Sequence, residues 1–262
     1  MADEVELSVQ GEVALLQLRR PDRGNALRAA MFDALRRAVL RLSDSPPAFV
    51  VLTGEGADFC TGLDPAPDLL WEQFESVAAA RDAHRAQEAV ARIRGVLDGL
   101  GRLPAPSSRR SRAAATAPAS RLALLADLRV AASGATFVLG EGRDGILTGF
   151  GGLSRAAVLL GLPRAGELAL LGRAVPADEA ATMGLVSRVV PDGTALSSAL
   201  EAVQTMRRTS PAARMQTVLA LRQLASRPDL FDAESQASAR TWTAQDWQQA
   251  RVARNRGQEP SW

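Results

Sequence analysis

Residues Ala48–Thr53 read A-F-V-V-L-T, apolar at every position before the threonine, and Gly54 and Gly56 stop the run. A stretch this short and this uniformly apolar suits a buried strand, since a helix needs more length and shows a period. Its surroundings set the fold class. Val5–Leu18 alternates and reads as a hairpin turning at Gly11. Ala29–Leu42 places Met31, Leu35, Ala38, Val39 and Leu42 at helical spacing. After a loop over Phe59–Pro67 comes a long helical stretch, Leu69–Leu100. Leu122–Val130 reads as a helix running into a strand, and Thr136–Leu139 as a short strand. Leu153–Leu160, Arg164–Leu171 and Pro176–Met183 read as helices, and Leu185–Val190 as a strand closed by Pro191. From Leu196 onward the chain is helical, with breaks at Pro211 and Pro228. Strands alternate with helices early and helices dominate late, which predicts an α/β core over residues 1–195 and a helical region over 196–262.

Composition removes several function classes. With 262 residues and 47% hydrophobic content the chain can bury a full core. No apolar run reaches membrane-spanning length. The N-terminal M-A-D-E-V-E-L has neither a basic nor an apolar leader segment, so no signal peptide is expected. The single cysteine, Cys60, permits no internal disulfide and suits the cytoplasm, where it packs as a small apolar residue. Lysine and tyrosine are absent, so arginine alone sets the pI near 9.7, while the formal net charge is only +2. A nucleic-acid surface would need a basic stripe with stacking aromatics, and aromatics are 4% and scattered. No partner of that kind and no metal site is expected. His84 reads as a solvated helical residue, with no nucleophile motif beside it. The G-F-G-G run, Gly149–Gly152, lacks both the spacing and the lysine of a phosphate loop.

Three motifs carry chemistry. Arg20–Leu27 reads R-P-D-R-G-N-A-L. Val50–Asp64 reads V-V-L-T-G-E-G-A-D-F-C-T-G-L-D. Ala126–Val190 contains A-D-L-R-V-A-A, F-V-L-G-E, G-F-G-G-L-S-R and A-D-E-A-A-T-M-G-L-V-S-R-V-V. In this order and at this near-gapless spacing they resemble the crotonase superfamily, the enoyl-CoA hydratase/isomerase family, over nearly the whole chain. The resemblance implies a crotonase-like (ClpP/crotonase) spiral of ββα units with a helical C-terminal trimerisation region. It also implies an acyl-CoA thioester as substrate, no cofactor beyond the coenzyme A the substrate carries, and a homotrimer or hexamer. Glu141 falls where the family keeps a glutamate that moves protons on the acyl chain. Gly62 lets the backbone turn sharply, and the Leu63 amide falls where the family holds the thioester oxygen as it becomes an enolate. Ala26, Leu27, Gly62, Asp64 and Gly149 are the expected substrate-binding positions. Asp144 is a second carboxylate beside Glu141, expected to face solvent.

One segment departs from the pattern. Before A-D-L-R-V-A the family carries a buried strand of the type P-V-V-A-A-V and a glycine-rich turn. This chain reads P-S-S-R-R-S-R-A-A-A-T-A-P-A-S-R. The second oxyanion amide then belongs to Pro118, which has no N–H. The first catalytic glutamate corresponds to Arg121. Arg109 and Arg110 fall on the expected strand, where burial without a partner is costly. The length is nevertheless kept. With serine written TCN, arginine CGN, alanine GCN, threonine ACN and proline CCN, each codon can be read from the third base of its predecessor. Positions 107–113 then spell V-V-A-A-V-A-G when the wobble base is G, and 117–119 spell G-A-G. This points to a frame-shifted segment over Ser107 to about Arg121; ordinary divergence is the alternative. Position 121 is no glutamate in either frame, so one glutamate favours isomerisation over hydration. A non-catalytic acyl-CoA binder is the rival reading for the chain as written. A chain with V-V-A-A-V and G-A-G restored within residues 107–119 is expected to melt higher. Its turnover of enoyl-CoA should rise by roughly 10²–10³, the contribution of one oxyanion donor. Equal melting temperatures and equal rates would make the segment genuine divergence.

Overall fold

The computed structural model describes residues 4–103, 107–111, 122–225 and 228–260. Strands β1 (Val5–Gln10) and β2 (Val13–Leu18) form an antiparallel hairpin. Helix α1 (Ala29–Asp44) leads to β3 (Phe49–Gly54), and α2 (Leu69–Ala80) with α3 (Ala83–Arg102) leads to β4 (Ser107–Ser111). Then follow β5 (Leu128–Ala132), β6 (Thr136–Phe137), α4 (Gly152–Leu160), α5 (Leu162–Leu171), β7 (Val175–Pro176), α6 (Ala177–Thr182) and β8 (Arg188–Val190). Six strands make the main sheet in the order β1-β2-β3-β4-β5-β8, while β6 and β7 pair separately. Every pairing from β2 to β8 in that sheet is parallel, so the intervening helices are the crossovers that parallel neighbours require.

The apolar run at 48–53 behaves as its composition demands. All six residues of β3 are buried. Val50 and Leu52 enter the core shared with α1, α2 and α3, while Phe49 and Val51 enter a second core on the opposite face. That second core is roofed by α7 (Ala195–Met206) through Ala195, Ala199 and Val203. A third cluster, around Phe137, Leu168 and Val175, packs the outlying β6–β7 pair against α5 and α6.

The departing segment keeps its place in the sheet. The β4 backbone pairs on both edges, with Val50, Val51 and Leu52 opposite Ser107, Ser108 and Arg109, and with Leu128 opposite Ser108. Pro118 and Arg121 lie outside the described residues.

Two expectations need correction. The stretch 69–100 is not one helix. Arg81 takes a left-handed φ of 50° and closes α2, and Asp82 restarts the chain by capping α3 through the Arg85 N–H at 3.0 Å. Asp68 caps α2 in the same way, accepting from Leu70 at 2.9 Å and Trp71 at 3.2 Å. Helix also occupies only 122–124 before β5, where a longer one was expected.

Beyond α7, Pro211 and Pro228 open helices, where the missing N–H leaves nothing unpaired. They begin α8 (Pro211–Ala225) and α9 (Pro228–Trp242), and α10 (Gln245–Asn255) follows. Helix α9 lies along α3 and carries Trp242 into the main core. The Trp242 ring stacks on Phe74 at 3.9 Å between centroids and meets Trp247 edge-on at 5.3 Å.

Helix α9 is fixed by polar bonds as well. Glu234, 5% exposed, accepts from the N–H groups of Gly151 (2.5 Å) and Ser154 (2.7 Å) and from the Ser154 hydroxyl (2.5 Å). It caps α4 from a distant helix, a carboxylate at the positive end of a helix dipole. Beside it Arg94 pairs with Asp98 at 3.2 Å and donates to Ser235 at 2.7 Å, and Arg155 pairs with the same Asp98. Replacing Glu234 by Ala strips two buried N–H groups of their acceptor and should cost about 2–3 kcal/mol. Urea unfolding reads the loss directly; a midpoint equal to wild type would show that α4 does not need this cap.

Candidate functional site

The cavity wall starts from a buried asparagine. Asn25, 0% exposed, accepts from the Arg20 N–H at 2.8 Å and donates to the carbonyls of Glu55 (2.8 Å) and Asp58 (2.6 Å). One side chain thus ties the loop after β2 to the loop after β3. The two loops also exchange backbone bonds. The Leu27 N–H reaches the Gly62 carbonyl at 2.7 Å, and the Asp64 N–H reaches the Leu27 carbonyl at 2.8 Å. In a parallel bridge of this kind, the peptide groups of the opposite residue, Leu63, point away from Leu27. Among the described residues no acceptor takes the Leu63 N–H.

Asp64 closes this corner. Its carboxylate, 3% exposed, pairs with Arg20 at 2.7 Å and Arg23 at 3.2 Å and accepts from the Ala66 N–H at 3.0 Å. Burial pushes its carboxyl up, but the Ala66 amide and the two guanidinium groups outweigh burial and hold it below the usual carboxylate range. Cys60 is fully buried, and burial pushes its thiol up to about 12, so it is an inert packing residue.

Glu141 opens a tight 3-10 turn, Glu141–Asp144, after β6. It is 2% exposed and accepts from the Thr148 hydroxyl at 2.8 Å. The turn ends at Gly145, whose φ is 72°. A Cβ there would lie 2.7 Å from the backbone of Asp246 and Trp247, so only glycine lets the start of α10 approach. The Leu147 N–H donates to the Thr241 hydroxyl at 3.0 Å, a second tie to the C-terminal helices.

These elements enclose a cavity of about 640 Å³. Leu63, Ala26 and Asp64 form one side, Glu141 and Asp144 another, and α10 the third, through Trp247, Ala250, Arg251 and Arg254. Arg254 pairs with Asp144. Arg251 pairs with Glu75 and lies over the rings of Trp71 (4.9 Å) and Trp247 (5.5 Å).

The structure therefore brings Glu141, Leu63, Ala26 and Asp64 to one cavity. Leu27 and Gly62 stand directly behind it in the bridge. Gly149 packs elsewhere, against Ser238 of α9, whose hydroxyl a Cβ would meet at 2.4 Å. Asp144 does not face solvent as expected: it is half-buried, because α10 covers it, and it lines the cavity. Sequence reasoning missed Thr148 and the whole α10 wall. The spacing of Trp247, Ala250, Arg251 and Arg254 was a signal, but it reads equally as an ordinary packed helix face. It also missed Arg129 in D-L-R-V-A. This residue is 8% exposed and bolts β5 to the carbonyls of Leu185 and Ala126. Burial pushes its guanidinium pKa down.

Among the described residues no group of His, Cys, Asp or Glu is placed to hold a metal ion, and no helix is long and apolar enough to cross a membrane.

Comparison with known proteins gives a consistent answer. Residues 8–256 match the family model described as enoyl-CoA hydratase/isomerase. A Mycobacterium bovis protein named "Probable enoyl-CoA hydratase echA12" is 35% identical over 183 residues, covering 69% of this chain and 63% of its own length. A "Probable enoyl-CoA hydratase" of Rhodobacter capsulatus is 31% identical over 188 residues, covering 72% of this chain and 69% of its own. The chain thus spans less than two thirds of the mycobacterial relative it matches. Among solved structures, an enoyl-CoA hydratase/isomerase from Mycobacterium paratuberculosis superposes with a TM-score of 0.81 at 23% identity, covering 94% of this chain and 96% of that one. A candidate enoyl-CoA hydratase of Thermobifida fusca, solved in complex with acetoacetyl-CoA, superposes with a TM-score of 0.73 at 28% identity, covering 91% and 93%. The sheet of parallel strands, the helical C-terminal region and the match over nearly the full length agree, and the chain belongs to the enoyl-CoA hydratase/isomerase family, with the crotonase fold.

Proposed function

We propose that this chain is an acyl-CoA enzyme in which Glu141 moves protons on the acyl group while the Leu63 amide holds the thioester oxygen. One observation carries the reading: a nearly fully buried carboxylate and a backbone N–H that finds no acceptor among the described residues line the same cavity. A thioester lying between them would present its α-hydrogen to the Glu141 carboxylate. As that C–H bond breaks, its electron pair moves into the carbonyl, and the negative charge on oxygen meets the Leu63 N–H. The Glu141 carboxylic acid then returns the proton at the γ-carbon. The double bond moves by one position, and no atom is gained or lost. The Thr148 hydroxyl holds the Glu141 carboxylate in one orientation throughout. Ala26 and Asp64 shape the wall beside the thioester, with Leu27 and Gly62 supporting them from behind. A fatty-acyl or related thioester in a cytoplasmic pathway is the substrate class we favour.

A second reading, a crotonase-fold protein that binds acyl-CoA without turning it over, is favoured by Pro118. At that position the family's second donor is absent from the chain as written. Glu141→Gln separates the two. The change is nearly isosteric, so acyl-CoA binding should persist while isomerase turnover falls about 100-fold or more, the usual contribution of a positioned base. Unchanged turnover would remove Glu141 from the chemistry; no turnover by either protein, with binding intact, would favour the binder.

We further propose a homotrimer or a dimer of trimers. The tryptophans of the C-terminal helices are internal, with Trp242 at 0% and Trp247 at 3% exposed, and are not available for that contact. Helix α5 instead exposes Leu162, Leu170 and Leu171 at 73%, 88% and 61%. Light scattering should give a trimer or hexamer, and Leu170→Glu with Leu171→Glu should shift it towards monomer. A monomeric wild-type chain at micromolar concentration would refute the assembly.

A further inference from the structure

The Glu141 turn and α4 are joined by a stretch in no helix or strand, 145–151, and α9 holds that stretch from one face. Glu234, Ser238 and Thr241 of α9 stand at i, i+4 and i+7, the spacing that puts side chains on one side of a helix. Each meets the stretch at a different residue. The Thr241 hydroxyl accepts from the Leu147 N–H at 3.0 Å and donates to the Ser238 carbonyl at 2.8 Å, so its proton goes to its own helix and its lone pairs face the loop. Ser238, fully buried, lies so close to Gly149 that no Cβ fits there. Glu234 accepts from the Gly151 N–H at 2.5 Å. The three contacts fall on alternate residues of the loop, and Thr148 stands between the first two. Its side chain is buried, and its hydroxyl donates to the Glu141 carboxylate at 2.8 Å.

The loop needs this hold. Phe150 takes a φ of 54° and Gly151 a φ of 85°, two left-handed residues in succession, and that region is unfavourable for a bulky aromatic side chain. Such a conformation persists where the surroundings over-determine it. Here the surroundings are Phe74, whose ring lies 6.4 Å from that of Phe150, and the Glu234 carboxylate on the next N–H. Glu234, Ser238 and Thr241 stand behind the cavity wall and not in it. We propose that these three are positioning residues for the proton transfer: α9 fixes the backbone on both sides of Thr148, and the Thr148 hydroxyl so fixed sets the rotation of the Glu141 carboxylate in the cavity. The proposal rests on the assignment of Glu141 made above. Proton transfer at carbon depends on close alignment of base and C–H bond, and a displacement of about 1 Å that originates far from the chemistry lowers the rate by about 100-fold. The C-terminal region thus governs the reaction through a helix that touches no substrate.

Isomerisation of a 3-enoyl-CoA is measured for the full-length chain and for Thr241→Val, Thr241→Ser, Glu234→Gln, Thr148→Val, the double variant Thr148→Val with Thr241→Val, and Glu141→Gln, each well below its melting temperature. Thr241→Val keeps the shape of the side chain and removes the acceptor. It should lower kcat by about 10- to 100-fold and leave KM near wild type. Thr241→Ser, which restores the hydroxyl, should recover most of the loss. Glu234→Gln, which turns one acceptor oxygen into a donor, should behave like Thr241→Val. In the Thr148→Val background Thr241→Val should have no further effect, because the link that carries its influence is gone, whereas losses from a general loosening of the fold would multiply. A wild-type kcat in Thr241→Val, with Glu141→Gln inactive, overturns the proposal and leaves Glu141 standing. So do losses that multiply in the double variant, and so does a loss that Thr241→Ser fails to recover. Undiminished turnover by Glu141→Gln, or no turnover by the wild-type chain, overturns the underlying assignment and the proposal with it. If Thr241→Val does not fold, Thr241→Ala takes its place with the same criteria.

Discussion

The cavity depends first on the hydrogen bonds of Asn25. Its backbone takes a φ of 55°, a left-handed conformation that asparagine tolerates better than most residues. In that conformation its fully buried amide spends every bond on backbone groups, one N–H and two carbonyls. Those groups belong to loops far apart in sequence, and without the amide they would lose these partners. Once the loops are tied, Leu27 and Leu63 fall opposite one another, and the Leu63 amide is turned to the far side. A single polar side chain in the interior therefore determines which way a remote peptide group faces.

How much of this was legible in the sequence varied by the kind of signal. The all-apolar strand at 49–54 and the hairpin at Gly11 were plain, because uniform burial and strict alternation leave few alternatives. The place of Glu141 in the cavity wall was legible from its flanking residues. The break at Arg81 was not: nothing in V-A-A-A-R-D marks a left-handed arginine, and only the Asp82 cap reveals the stop. The place of Asp144 was hidden for another reason. Its burial comes from α10, which is 110 residues away in sequence (Asp144 to Arg254), and local pattern carries no information about such cover.

Strand β4 shows the limits of composition in the other direction. Serine and arginine are poor choices for a strand paired on both edges inside a parallel sheet, where apolar runs are the rule. Yet the backbone of Ser107–Ser111 keeps its register with β3 and β5. Its backbone lies between two strands whose own residues are mostly apolar, β3 and β5. The pairing on both edges keeps this segment in step with its neighbours.

Trp247, Ala250, Arg251 and Arg254 supply one whole wall of the cavity, and the glycine at 145 that receives the helix precedes them by a hundred positions. Without α10 the sheet and the Asn25 tie would border an open cleft. The cavity therefore closes only when residues a hundred positions beyond the turn at Gly145 are in place, so its enclosure is the part of the structure with the longest reach along the chain.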